Sequence, residues 1–249
     1  LDYIAGKMVV VRSIVCGMDL IEVEPSGNPL KSLNTAPSFA AMVPMQVFNS
    51  LNSPHDKALL MNIKQLIIGG GAIDDEMAKI LRGFQNSIWS TYGMTETLSH
   101  IALRRLSGND ASEWYTPFDS VKIKLSKDGC LIIDAPDICK DIIKTNDRVE
   151  ISSDGKKFRI IGRKDNVIDS GGLKIQIEEI EKMLKPYINT PYIITKKTDH
   201  KFGEIVVMLV ETTSYDITRI KQICKRKLPK YYQPKLFIPV DSIPLTRTG

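Results

Sequence analysis

Ser90-Thr91-Tyr92-Gly93-Met94-Thr95-Glu96-Thr97 is the stretch on which the reading of this chain turns. Residues 87–91 have the apolar content of a strand, and within five further residues the chain offers glycine, hydroxyls and a carboxylate. A second pair of segments follows about seventy residues later: Ile161-Gly162-Arg163-Lys164-Asp165 and Asp169-Ser170-Gly171-Gly172. Each is rich in glycine, which exposes backbone, and in side chains that seek phosphate or metal. Together they imply one site built from two distant parts of the chain.

Upstream, Lys64-Gln65-Leu66-Ile67-Ile68 reads as a strand running into Gly69-Gly70-Gly71-Ala72. Asp74 then caps a helix to about Phe84, with Met77, Ile80 and Leu81 on its inner side. Strand, loop and helix in alternation predict an α/β fold with a mostly parallel sheet, whose ligands sit at the C-terminal strand ends. Met8 to Cys16 reads as an apolar helix, and Asp19 to Val23 as a short buried strand. After Ser120 the texture changes. Lys127-Asp128-Gly129 and Asp154-Gly155 each separate two short apolar runs, which predicts a small antiparallel β region. From Asn166 an α+β unit is expected. Its helices span Gln176–Leu184 and Ile217–Lys227, and its strands Tyr192–Lys197, Ile205–Glu211 and Lys235–Ile238. The domains are therefore drawn as 1–165, part of a large domain, and 166–249, a small mobile one.

The 249 residues carry 43% hydrophobic and 25% charged side chains, ordinary for a globular chain and against disorder. A net charge of +5 is too mild to argue for nucleic acid, but it suits anionic small ligands. The basic run Lys225-Arg226-Lys227, with Lys230 and Lys235, reads as a solvated face. A docking patch for a phosphate-bearing substrate is the sharper alternative. Cys16, Cys130, Cys139 and Cys224 lie far apart and the chain has three histidines, so a zinc site is not expected and reduced cytoplasmic thiols are. Met8 to Val23 is interrupted by Arg12, Asp19 and Glu22, which argues against integral membrane association. No signal peptide is visible.

In these motifs the chain resembles the adenylate-forming acyl- or aryl-CoA synthetases, and within that superfamily the o-succinylbenzoate–CoA ligases of menaquinone biosynthesis. The resemblance runs over essentially the whole chain. It implies ATP, Mg²⁺ and coenzyme A as reactants and cofactor, a small carboxylic acid as substrate, and a cytoplasmic enzyme for which a homodimer is compatible. It implies that Gly70, Gly71 and Ala72 border the acyl pocket and adenine. Tyr92 offers an aromatic face to adenine, Gly93 removes bulk, and Met94 belongs to the same motif. Thr95 then offers its hydroxyl to the α-phosphate, and Glu96 is the carboxylate for Mg²⁺, a hard ion that prefers oxygen.

In the second half of the motif set, Asp147 matches the residue that accepts hydrogen bonds from both ribose hydroxyls. Asn146 stands where the family has glycine, a mild departure because Asn tolerates left-handed backbone. Arg163 brings a permanent planar cation for ribose or phosphate oxygens. Asp165 holds the hinge position, and Ser170, Gly171 and Gly172 resemble the loop lining the pantetheine channel.

Both ends read as cuts: Leu1 starts in mid-pattern, and Pro244-Leu245-Thr246-Arg247-Thr248-Gly249 opens a motif whose next residue should be a lysine. The family's phosphate loop would lie before Leu1. Loading of a carrier protein instead of coenzyme A is one alternative. A non-catalytic nucleotide-binding protein without phosphate loop and lysine is the other.

Overall fold

The computed structural model describes residues 4–212 and 217–243. The chain separates into two units. One comprises Leu1–Ser126, Leu131–Thr145 and Glu150–Arg159, the other Lys127–Cys130, Asn146–Val149 and Ile160–Gly249.

The first unit begins with α1 (Ile4–Cys16), β1 (Phe39–Met42), α2 (Pro44–Leu51) and α3 (Pro54–Asn62). Proline at the first helical position sets both starts, where its missing N–H costs nothing, and Ser53 caps α3 by accepting from the Asp56 N–H. Next come β2 (Gln65–Ile68), α4 (Asp75–Arg82), β3 (Ser87–Gly93), β4 (His100–Arg105) and β5 (Thr116–Pro117). The Asp74 carboxylate accepts from the N–H groups of Glu76 and Met77, both at 2.9 Å, as the cap reading expects. The sheet order is β1-β2-β3-β4-β5, with β1, β2 and β3 parallel and β4 and β5 added antiparallel. Leu60, Ile63, Leu66, Ile68, Leu81 and Ile88 are fully buried at the centre of its core.

Two expectations need correction here. Asp19 to Val23 forms no strand; Leu20 and Ile21 are about half exposed, at 52% and 53%. Their apolar side chains looked buried, but no neighbouring strand pairs with their backbone. The helix after Asp74 ends at Arg82, and Ile80 is exposed while Met77 and Leu81 are buried. At 100° per residue Ile80 lies 60° off the Met77 direction, on the far side from Leu81. That places it at the flank of the apolar stripe.

The strands β6 (Lys122–Leu125), β7 (Cys130–Asp134), β8 (Ile143–Ile151) and β9 (Phe158–Arg163) form a four-stranded sheet in that order. Gly129 and Gly155 take φ of +77° and +73° in the turns that Asp-Gly signalled.

The second unit continues with β10 (Val167–Ser170), β11 (Leu173–Gln176), α5 (Ile177–Leu184), β12 (Tyr192–Asp199), β13 (Gly203–Glu211), α6 (Ile217–Lys227) and β14 (Leu236–Val240). Strand β13 pairs antiparallel with β12 and β10 and parallel with β14. Ile168, Ile175, Ile180, Leu184, Ile194 and Met208 are buried among the core of this unit.

Candidate functional site

Register decides where the motifs of the first unit emerge. Met42 pairs with Ile68, and Ile68 with Ser90, so β1 and β2 end level while β3 runs on to Gly93. Gly69-Gly70-Gly71-Ala72 therefore leaves the sheet beside Thr91-Tyr92-Gly93, which stays in β3 and pairs with β4. A Cβ on Gly69 would collide with the Thr91 hydroxyl, and Gly70 has φ +80°, so both positions require glycine. Gly70, Gly71 and Ala72 are exposed. Beyond Tyr92 the pairing of β3 with β4 shifts by a bulge, and a Cβ on Gly93 would run into Ser99 O and His100 Cα. No side chain fits there.

The turn that follows is held from within. Met94 N donates to Thr97 Oγ1 at 2.9 Å, and that hydroxyl lies 3.0 Å from Met94 O and 2.8 Å from Ser99 O. Thr97 is buried as the peg of the turn, and Leu98 takes φ +58°, a region that costs a non-glycine residue about 1–3 kcal/mol. Thr95 and Glu96 are exposed, and among the described residues nothing hydrogen-bonds their side chains. Both are presented outward, a hydroxyl beside a carboxylate. Such a pair fits Mg²⁺, which takes one or two protein carboxylates and keeps waters and substrate oxygens for the rest. Among the described residues no three His, Cys, Asp or Glu side chains gather to hold a metal.

Tyr92 sits differently from its neighbours. It is 7% exposed, with its ring edge-on to Phe158 at 5.1 Å and to Tyr115 at 5.9 Å. Tyr115 stacks on Phe158 at 5.5 Å, and its hydroxyl lies 2.7 Å from Ser90 Oγ. This aromatic cluster fixes the direction of the motif from behind.

Sequence reasoning passed over a third contributor, Arg12 of α1. Its guanidinium lies 3.4 Å from the Ser99 hydroxyl, and burial holds its pKa below the usual arginine range. Burial and the nearby Arg12 charge together push the His100 imidazole down, favouring its neutral form. An isolated arginine in an apolar helix pattern is the signal that could have found it.

In the second unit Arg163 is the organising charge. Its guanidinium contacts Asp147 Oδ1 at 3.3 Å and Asp165 Oδ2 at 3.2 Å, while Asn146 donates to Asp165 at 3.4 Å. The Asp147 side chain is mostly covered, whereas those of Arg163 and Asp165 are exposed. A Cβ on Gly162 would meet the Gln176 amide at 2.6 Å and the Glu178 carboxylate at 2.7 Å, so both side chains would have to shift to admit it. Those two residues hold the backbone around Arg163. Gln176 Nε2 donates to Arg163 O at 2.9 Å, Arg163 N donates to Glu178 at 3.3 Å, and Asn166 donates to Glu178 at 2.7 Å. Lys164 and Asp128 pair at 2.7 Å, which raises the lysine pKa and lowers that of the aspartate.

Ser170, Gly171 and Gly172 form a hairpin turn between β10 and β11, two strands that the sequence reading missed. Gly171 and Gly172 have φ of +63° and +84°, and Gly171 N donates to Phe202 O at 2.7 Å. The motif at 244–249 lies outside the described residues. Cys224 is buried, and its thiol is pushed up to about 11 by that burial, a poor start for a nucleophile.

Known proteins share this fold. No family model matches the chain. A crystal structure of an acyl-CoA synthetase (AMP-forming)/AMP-acid ligase II-like protein from Dyadobacter fermentans is 31% identical, with 99% of this chain and 72% of that one covered and a TM-score of 0.60. The chain belongs to this family of AMP-forming acyl-CoA synthetases and AMP-acid ligases. It is also similar to the 2-succinylbenzoate–CoA ligase of Listeria monocytogenes, at 22% identity over 99% of this chain and 57% of that protein. The o-succinylbenzoate CoA synthetase of Bacillus subtilis, solved with its acyl-adenylate intermediate OSB-AMP, has the same fold at 21% identity and a TM-score of 0.76. It covers 97% of this chain, which covers 56% of it. The chain thus spans little more than half the length of the curated relatives it matches. Among the described residues no helix is long and apolar enough to cross a membrane.

Proposed function

We propose that this chain works as part of an AMP-forming acid–thiol ligase that activates an aromatic carboxylate, o-succinylbenzoate, and transfers the acyl group to coenzyme A. The observation that carries the reading is the exit of Gly69–Ala72 beside the end of β3, with Thr95 and Glu96 just beyond that strand, exposed and, among the described residues, without side-chain hydrogen bonds. Relatives named for that acid support the choice of substrate.

In the first half-reaction a carboxylate oxygen of the acid attacks the α-phosphorus of ATP, and the bond to the β-phosphate oxygen breaks, releasing pyrophosphate. Thr95 donates its hydroxyl to an α-phosphate oxygen. Glu96 would hold Mg²⁺, which neutralises phosphate charge when bound. Gly70, Gly71, Ala72 and the Tyr92–Gly93–Met94 backbone border the adenine and acyl group. Asp147 accepts from the ribose hydroxyls, and Arg163 faces ribose or phosphate oxygens. Arg12, half-buried beside Ser99, gives the anionic acid a fixed cation. In the second half-reaction the coenzyme A thiol attacks the acyl carbon, AMP leaves, and the Ser170–Gly172 turn borders the pantetheine arm. Rate comes from positioning and charge neutralisation, and no protein nucleophile is required.

The binding part is measurable on the chain itself. Calorimetry with AMP should give high-micromolar to millimolar affinity, and Asp147→Ala, which removes the acceptor of both ribose hydroxyls, should weaken it by about tenfold or more. Unchanged affinity in Asp147→Ala would remove the ribose assignment. The hinge assignment has its own test in the full-length gene product. Asp165→Pro, which fixes φ at one position, should leave single-turnover adenylate formation near normal and stall thioester formation. Equal losses in both steps would argue against a pivot at Asp165.

A further inference from the structure

Residues 217–240 contain seven Lys and Arg and no Asp or Glu. The whole chain has 34 Lys and Arg against 29 Asp and Glu, so the 27 cations elsewhere are outnumbered by acids. The net positive charge of the molecule therefore resides in this one stretch. Helix α6 explains how it is displayed. Ile217, Ile220, Cys224 and, just past its end, Leu228 are buried in the core of the second unit. At 100° per residue these four occupy a narrow stripe, and every cation lies outside it. Lys221 and Lys225 line one flank, Arg226 points outermost, and Lys227 lies on the opposite flank.

Two tyrosines stand at the same end of the helix. Lys227 Nζ is 4.0 Å from the ring centroid of Tyr187, and Tyr187 and Tyr231 are 47% and 66% exposed. Cations arranged around three sides of a convex helix do not converge on a point. A small phosphate in the open cleft of about 370 Å³ bounded by Lys221, Lys225 and Lys235 would leave Arg226 and Lys227 without a counter-charge. An extended anionic surface would meet Arg226 directly, and the long stems of Lys225 and Lys227 can reach it from either flank.

We propose that α6 and the turn at Pro229–Tyr231 form a peripheral docking face for the anionic phospholipid headgroups of a membrane surface. Such a surface carries a negative potential that falls off within a Debye length, and juxtaposed Lys and Arg respond to it together. Tyrosines with a polar tip and an apolar body settle at headgroup depth, while long lysine stems let the ammonium groups reach phosphates. The contact is reversible and inserts no helix.

Sedimentation of the chain with vesicles tests this, using phosphatidylcholine alone and phosphatidylcholine with about one third phosphatidylglycerol. Binding to the anionic vesicles should exceed binding to the neutral ones by about tenfold or more at roughly 0.1 M salt and should collapse at about 0.5 M. The triple variant Lys225→Gln, Arg226→Gln, Lys227→Gln should lose the preference, with circular dichroism verifying its fold. Should that variant not fold, the single variant Tyr231→Ala, far from the core, is expected to weaken vesicle binding several-fold. Equal partition onto both vesicle types overturns the proposal, as does a folded triple variant that still prefers the anionic ones. Release by inorganic phosphate at matched ionic strength overturns it in favour of a small-anion site. Tighter, variant-sensitive binding of a duplex RNA overturns it in favour of nucleic acid.

Discussion

In the full-length gene product, Glu96→Gln is expected to lower ATP–pyrophosphate exchange by about a hundred- to a thousand-fold, with little change in overall fold or nucleotide affinity. The magnitude is that of one lost charge contact made at the reacting phosphates, commonly about 2.7–4 kcal/mol. The structure sharpens the expectation because Glu96 is exposed and bonded to no described residue, so its amide costs the fold almost nothing. A structural carboxylate would instead reveal itself in thermal unfolding. The measurement is exchange rate beside melting temperature. Exchange within a few-fold of wild type, at saturating Mg²⁺, would take Glu96 out of the reaction.

The second large effect concerns stability. Phe158 is fully buried, stacked on Tyr115 and edge-on to Tyr92, and its backbone exchanges hydrogen bonds with Tyr115 at 2.7 and 3.1 Å. Phe158→Ala removes a ring and leaves a cavity that the backbone bridge resists closing, so about 3–5 kcal/mol should be lost. For a chain of this size that is a fall of roughly 6–20 °C in melting temperature. Phe158→Leu, which retains most of the volume, should lose less than half as much. The same variant should also loosen Tyr92, visible as broadened Tyr92 ring resonances. A loss below about 1 kcal/mol would mean that the three rings are packed far less tightly than their spacing indicates.

Several parts of this fold were legible because a local rule and a tertiary need agreed. Asp74 announced its helix, Asp-Gly announced both hairpins, and Tyr192–Lys197 and Ile205–Glu211 announced a strand pair that exists. Asp19–Val23 misled because periodicity reports apolar content and is silent about whether a partner strand is available. Strands β10 and β11 were missed because Asp169, Ser170 and Lys174 interrupt the apolar pattern, and the glycine pair read as a loop although it is their turn. At the candidate site, sequence singled out the motif residues by their type. What holds them was invisible: Thr97 as peg, Gln176 and Glu178 behind Arg163, and Phe158 behind Tyr92 come from pairings that sequence distance conceals.

The level ends of β1 and β2, beside the longer β3, bear on which lengths evolution is free to vary. Deleting one residue from Gln65–Ile68 would turn every following side chain of that strand to the other face, and it would also draw Gly69 back from Thr91, the atom it must clear. Insertions in 24–38 or 106–114 touch neither constraint. Homologous chains should therefore conserve the number of residues in 64–72 and 87–97 far more strictly than their identity, with gains and losses of length collecting in those loops.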